Sequence, residues 1–161
     1  MKLRWLRWLA DRGDWQTFEK YYDAKLNFVE LDCLHGQYQL THNLKAEGYK
    51  TTEKLWMTGK SQPAACDATF GQWAADGQLT EQKIWDRAKL AAEARNYALA
   101  NSLVKTLPTL GAQGRLMIDV AQKPDMLSDP SRFLPANEAM SDAVGLGLRR
   151  LARQDPDKAM A

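Results

Sequence analysis

Cys33, His35 and His42 are the residues whose chemistry can first be tested against spacing. The two histidines stand seven positions apart, so on a helix they share a face, and Cys33 adds a third type of metal ligand. A Cys-x-His unit without a second close pair matches no standard zinc spacing. The same residues make a weak nucleophile-and-base set, because no local signature surrounds Cys33 or Cys66. A Gly-rich phosphate loop, a Gly-x-Ser-x-Gly elbow and a His-Glu-x-x-His helix are all missing. Carboxylates are plentiful, but they sit at helix starts and on polar faces, where they cap and solvate. The tryptophans could line a sugar groove, yet at helical spacing they read as core. The sequence therefore presents no catalytic, cofactor-binding or metal-binding constellation.

The elements that carry these residues are helices. Apolar residues recur at three- and four-residue steps, and strand-type alternation is absent. Leu3 to Asp11 forms a first helix, closed by Gly13. Asp14 caps a second that runs to Tyr22 and carries Trp15 and Phe18. Asn27 with Glu30 predicts a capped third helix to about Lys45, with Phe28, Leu31, Leu34 and Tyr38 in one stripe and Gly36 where another helix comes close. Gly48 starts a fourth, ended by Gly59. Ser61 caps a fifth with Pro63 in its first turn, an inner stripe of Cys66, Phe70 and Trp73, and a stop at Gly77. Thr80 caps a sixth with Ile84, Trp85, Ala88, Ala91 and Ala92 inward. Asn96 restarts the chain into a seventh, ended by Pro108, and an eighth spans roughly Gln113 to Gln122.

Pro124, Pro130 and Pro135 bracket a non-helical link, with Met126, Leu127, Phe133 and Leu134 suggesting that it packs. Asn137 caps a ninth helix with Met140, Val144, Leu148 and Leu151 on one face. Gly145 and Gly147 inside it mark a close crossing or a kink. Asp155-Pro156 signals a tenth helix that the chain does not finish, which reads as a fragment of a longer protein.

Shifting the sequence by 34 residues places Asp14-Trp15 on Gly48-Tyr49 and Glu19-Lys20 on Glu53-Lys54. A third copy begins at Asn96-Tyr97. Paired helices repeated at this period predict an all-α chain, an α-superhelix of tetratricopeptide-like helix pairs forming one domain over residues 1–161. Each pair exposes an apolar face that only a neighbour buries. Cys33 and Cys66 lie 33 apart, one short of that period. Near-equivalent positions on successive repeats can approach the ~4.4–6.8 Å Cα separation of a disulfide. Such a bridge would stabilise by roughly 3–4 kcal/mol and belong to an oxidising compartment. Two unrelated buried thiols fit the sequence equally well.

Composition narrows the partners. Apolar content of 45% and charged content of 26% describe a globular chain. With 22 basic and 20 acidic residues the formal charge is +2, which does not imply nucleic acid. Lys2, Arg4 and Arg7 beside Trp5 and Trp8 could suggest a membrane-surface helix, but an amphipathic first helix awaiting its neighbour is the simpler reading. No apolar run approaches the ~20 residues of a membrane span. Arg4 and Arg7 interrupt what would be the apolar centre of a signal peptide, so either the protein is cytoplasmic or an export signal lies upstream.

The residues Arg12-Gly13-Asp14-Trp15, Glu30-Leu31-Asp32-Cys33, Leu55-Trp56, Gly59-Lys60-Ser61-Gln62-Pro63-Ala64-Ala65-Cys66-Asp67 and Ala143 through Ala152 carry a resemblance over essentially the whole chain. It is similar to the superhelical region of soluble lytic murein transglycosylases of Gram-negative bacteria, of the pseudomonad type. The resemblance implies a periplasmic location and a parent enzyme that cuts the β-1,4 bond between N-acetylmuramic acid and N-acetylglucosamine, leaving 1,6-anhydromuramyl ends. It also implies a Cys33–Cys66 disulfide. The family's catalytic Glu-Ser segment matches nothing here, so no catalytic residue carries over and the lysozyme-like domain lies outside this chain. The expected role is scaffolding. The expected partners are the rest of the parent enzyme and peptidoglycan glycan strands, with Trp15, Trp56, Trp73 and Trp85 in the seams. On charge type alone, Arg149 and Arg150 are expected to meet peptidoglycan carboxylates. The alternative is a stand-alone tetratricopeptide-like module that binds a protein partner.

Overall fold

Residues 1–134 and 136–154 are described by a computed structural model. They form nine α-helices and four short 3-10 turns, and no strand occurs among them. The helices are α1 (Lys2–Asp11), α2 (Trp15–Tyr21), α3 (Val29–Thr41), α4 (Lys45–Trp56), α5 (Asp67–Ala75), α6 (Glu81–Glu93), α7 (Tyr97–Val104), α8 (Gly111–Gln122) and α9 (Glu138–Gln154). The expected all-α architecture of helix pairs is the architecture found. Pro135 and the Asp155-Pro156 start of a tenth helix lie outside the described residues. No described helix is long and apolar enough to cross a membrane.

Two compact units divide the described residues, one of residues 1–57 with 62–79, the other of 58–61 with 80–134 and 136–154. In the first unit, Leu6, Leu9 and Ala10 of α1 meet Phe18 of α2 and Leu31 of α3, with Trp15, Tyr22 and Leu34 around them. Phe18 is fully buried, which contributes about 2–3 kcal/mol. Trp56 lies edge-on to Phe70 and tilted against Trp73, closing α4 onto α5. In the second unit, Ile84, Trp85, Ala88, Ala91 and Ala92 are all buried on α6. Val120, Phe133 and Met140 make a further cluster, against which Met126, Leu127 and Val144 pack. Of the four apolar residues expected to pack the proline-bracketed link, Leu134 instead faces solvent.

Four helices end in one way. Gly13, Asn43, Gly77 and Arg95 all take the left-handed backbone conformation one residue past the cap. In each case the following N–H reaches back to the third-last helical carbonyl: Asp14 to Leu9, Leu44 to Gln39, Gln78 to Trp73 and Asn96 to Ala91, at 2.8–3.1 Å. Three of these ends turn straight into the next helix, at Trp15, Lys45 and Tyr97. Asp14 and Asn96 then cap those helices by accepting from Thr17 N and Leu99 N.

That shared ending corrects the repeat alignment. Asn43 follows Gly13 by 30 residues (43 − 13), not 34. The residue equivalent to Asp14 is Leu44, four before Gly48. An error of four positions is close to one helical turn, so it leaves the apolar face in place and the false match looks good.

Other boundaries move for local reasons. Gly48 does not start a helix; it lies inside α4, where a Cβ would come within 2.8 Å of Leu40 Cδ2. Its bareness lets α3 and α4 close. Asn27 does not cap α3; it is the left-handed residue that ends the 3-10 turn Ala24–Leu26, and α3 starts at Val29. Ser61 caps no helix either. Pro63 is extended, a 3-10 turn covers Ala64–Cys66, and α5 begins at Asp67. Residues 58–61 are instead fastened to the second unit, where Asn96 Nδ2 donates to Gly59 O and Ser61 Oγ, and Arg87 donates to Lys60 O. Gly145 has open surroundings apart from the tip of Arg149, whereas Gly147 admits Leu127 and Val120 against α9.

Candidate functional site

Cys33 on α3 and Cys66 at the end of its 3-10 turn form a disulfide, with Cα atoms 5.0 Å apart and both residues fully buried. Thr69, one turn into α5, donates its hydroxyl to Cys33 O at 2.8 Å and is itself buried. Gly36 leaves room for the Thr69 methyl. The bridge therefore sits inside a buried, hydrogen-bonded crossing of α3 and α5.

The two histidines go to different places. His35 Nδ1 is 2.7 Å from Glu19 Oε1, and its ring stacks on Tyr22 at 4.4 Å. His42 stacks on Tyr38 and bonds locally. Tyr22 donates to Asp32 at 2.6 Å; its own burial, then that carboxylate, push the phenol's pKa up. No group of three His, Cys, Asp or Glu side chains suited to a metal ion occurs among the described residues.

Among the described residues, Asp76, Glu81 and Asp129 have their pKa values shifted, each downward. Asp76 accepts from the Tyr49 hydroxyl at 2.9 Å, with Gln72 and Lys45 adding to the effect. Glu81 accepts from the backbone N–H and hydroxyl of Thr109 and from Leu110 N. Asp129 is held low by the Ser131 hydroxyl and by Arg132. Each is a carboxylate kept ionised by donors, the opposite of a general acid, whose pKa must rise.

Arg149 and Arg150 are neighbours in sequence with different environments. Arg150 is 4% exposed, and its Nη2 donates to Ala92 O at 2.7 Å and Glu93 O at 2.9 Å. It places a cation on the last carbonyls of α6, where the helix dipole favours one. Arg149 stands half exposed and pairs with Glu93 at 2.9 Å. Together with Leu146 and Arg153 these residues line a hollow of about 270 Å³. Arg153 and Glu93 were not singled out from sequence, although the Arg149–Arg153 spacing of four on one helix was available as a signal.

The similar curated proteins and the similar solved structures agree with each other. The chain is 27% identical over 160 residues to the soluble lytic murein transglycosylase of Escherichia coli K12, covering 99% of this chain and 25% of that protein. It therefore spans about a quarter of the length of the curated relatives it matches. A solved structure of an inactive mutant of the lytic transglycosylase Slt from Pseudomonas aeruginosa matches with TM-score 0.97 and 68% identity, over 99% of this chain and 26% of that one. The 70-kDa enzyme of Escherichia coli matches with TM-score 0.74 and 26% identity, over 98% and 26%. A family model described as cucumovirus coat protein also matches, at residues 33–126. Viral capsid domains of the jelly-roll type are built from eight β-strands. Residues 33–126 hold only helices, turns and irregular links, so that match does not describe this fold.

Proposed function

The chain belongs to the soluble lytic murein transglycosylase family, and from that premise we propose that it is a non-catalytic helical scaffold segment of a periplasmic enzyme. The parent cleaves the N-acetylmuramic acid to N-acetylglucosamine β-1,4 bond of peptidoglycan and leaves 1,6-anhydromuramyl ends. The chain's partners are the rest of that enzyme, including its lysozyme-like domain, and the glycan strands it helps to position. One observation carries the reading: similarity at 68% identity runs along 99% of this chain yet accounts for 26% of the Pseudomonas protein. Of the two arginines expected to meet peptidoglycan carboxylates, Arg149 supplies the exposed guanidinium and Arg150 forms the wall behind it.

Cosedimentation with purified sacculi tests the proposal. The chain is expected to pellet with sacculi in a salt-sensitive way and to release no 1,6-anhydromuramyl product. Release of that product by the chain alone would overturn the non-catalytic assignment. Failure to pellet at low salt would overturn the peptidoglycan-positioning role and favour a protein-binding module.

A further inference from the structure

We propose that the hollow lined by Arg149 and Arg153 is a receptor for a ligand carboxylate, and that Glu93 occupies it as an internal substitute until the ligand arrives. The identity of the ligand, an acidic peptide stem of peptidoglycan, rests on the function proposed above. The hollow itself does not.

Three guanidinium groups and one carboxylate line the space. Arg150 is committed: it is buried, and its two bonds to Ala92 O and Glu93 O satisfy the end of α6. It remains as a fixed positive wall. Arg149 and Arg153 lie four apart on α9 and so project from the same face. Arg153 is exposed, and no described carboxylate pairs with it. Leu146 gives the hollow an apolar floor, which lowers the local dielectric and strengthens the attraction for an anion.

The Glu93–Arg149 contact is the exchangeable part. Its side chains are 35% and 54% exposed, and a pair that open to water holds weakly. Glu93 reaches Arg149 through a single oxygen at 2.9 Å. An incoming carboxylate can take that place and use its second oxygen on Arg153, a two-point contact that Glu93 does not make. Glu93 thus lowers affinity while keeping Arg149 ordered in the empty state.

The test uses the 161-residue chain and a soluble disaccharide-tetrapeptide, offered with its carboxylates free or amidated, with binding read by calorimetry. The free acid is expected to bind and the amidated form to bind at least about tenfold more weakly. Glu93→Gln should tighten binding of the free acid about three- to fivefold, because the internal competitor is gone. Glu47→Gln, an exposed carboxylate on α4, removes the same charge elsewhere and should change nothing. Arg149→Gln with Arg153→Gln should weaken binding about tenfold at unchanged thermal midpoint. The proposal falls if Glu93→Gln binds no more tightly than Glu47→Gln, or if the double variant binds as the unaltered chain does. The Glu93 variant decides by itself should the double variant misfold. Sacculi stripped of peptide separate the two readings: continued pelleting alongside a negative carboxylate result overturns the hollow alone, and loss of both overturns the positioning role as well.

Discussion

Trp85 donates its indole N–H to Asp142 at 2.7 Å, joining α6 to α9 across 57 residues of sequence. Trp85 is 1% exposed, so the bond lies at the edge of the second unit's core. Asp142 has a second, longer partner in Lys89 at 3.6 Å.

Trp85→Phe keeps an aromatic ring and removes the donor. It is expected to cost about 2–4 kcal/mol, from the lost charge-assisted bond and the smaller ring. Urea unfolding of the pair measures it. Asp142→Ala in the Phe background should then add much less than it does alone, which is the signature of one shared interaction.

Reduction of the disulfide should be slow in the folded chain and fast in denaturant, since both cysteines are fully buried. Alkylation of thiols after a pulse of reductant, with and without urea, gives the comparison. Replacing Cys33 and Cys66 by Ser is expected to lower stability by about 3–4 kcal/mol, seen as a lower denaturant midpoint.

Two glycines should respond to Ala with opposite signs. At Gly71, inside α5, an added Cβ meets nothing within 4 Å, so Gly71→Ala should stabilise by about 0.5–1 kcal/mol. At Gly59 the Cβ would lie 2.5 Å from Leu90 O, a backbone atom that a side-chain rotation cannot move. Gly59→Ala should cost about 2 kcal/mol or more and expose residues 58–61 to protease. Thermal midpoints and limited proteolysis distinguish the two.

Glu81 ties α6 to the start of α8 through Thr109 and Leu110, and those donors, the Thr109 N–H first, hold its carboxyl below the ordinary 4.5. A depressed carboxyl contributes stability that is fully present above 4.5 and is lost as pH falls through its lower, folded value. The unaltered chain should therefore exceed Glu81→Gln in stability at pH 7, and the gap should narrow steadily from about pH 5 downward. Thermal midpoints of both proteins across that range would show it; a gap independent of pH would contradict it.

The α6 segment was legible from sequence because all its signals agree. Gly77 stops the helix before it, Thr80 caps it, and five small or apolar residues fall on one face. Asn96 and Asn137 were legible for the same reason: each is a capping residue that bonds locally, to Leu99 N and Met140 N. Gly48 misled because a glycine that breaks a helix and a glycine that lets Leu40 approach look alike until the partner is known. Ser61 misled because its hydroxyl is taken by Asn96, 35 positions away. Arg95 shows the limit from another side. It adopts a conformation that usually selects glycine, and only the capping Asn96 after it hints at the turn. In the candidate hollow, Arg149 and Arg150 stood out as a charged pair, but adjacent residues on a helix point apart, and burial assigns them different work.

The disulfide also fixes how the chain carries load. Residues 34–65, with the whole of α4 among them, lie inside the covalent ring closed by Cys33 and Cys66. Once the noncovalent contacts have given way, a pull along the chain passes from Cys33 to Cys66 through sulfur, and α4 carries none of it. That ring withholds about 110 Å of contour length from extension, at ~3.4 Å per residue. Stretched to its limit, the oxidised chain is shorter than the reduced one by that amount, and α4 travels as slack inside the closed ring.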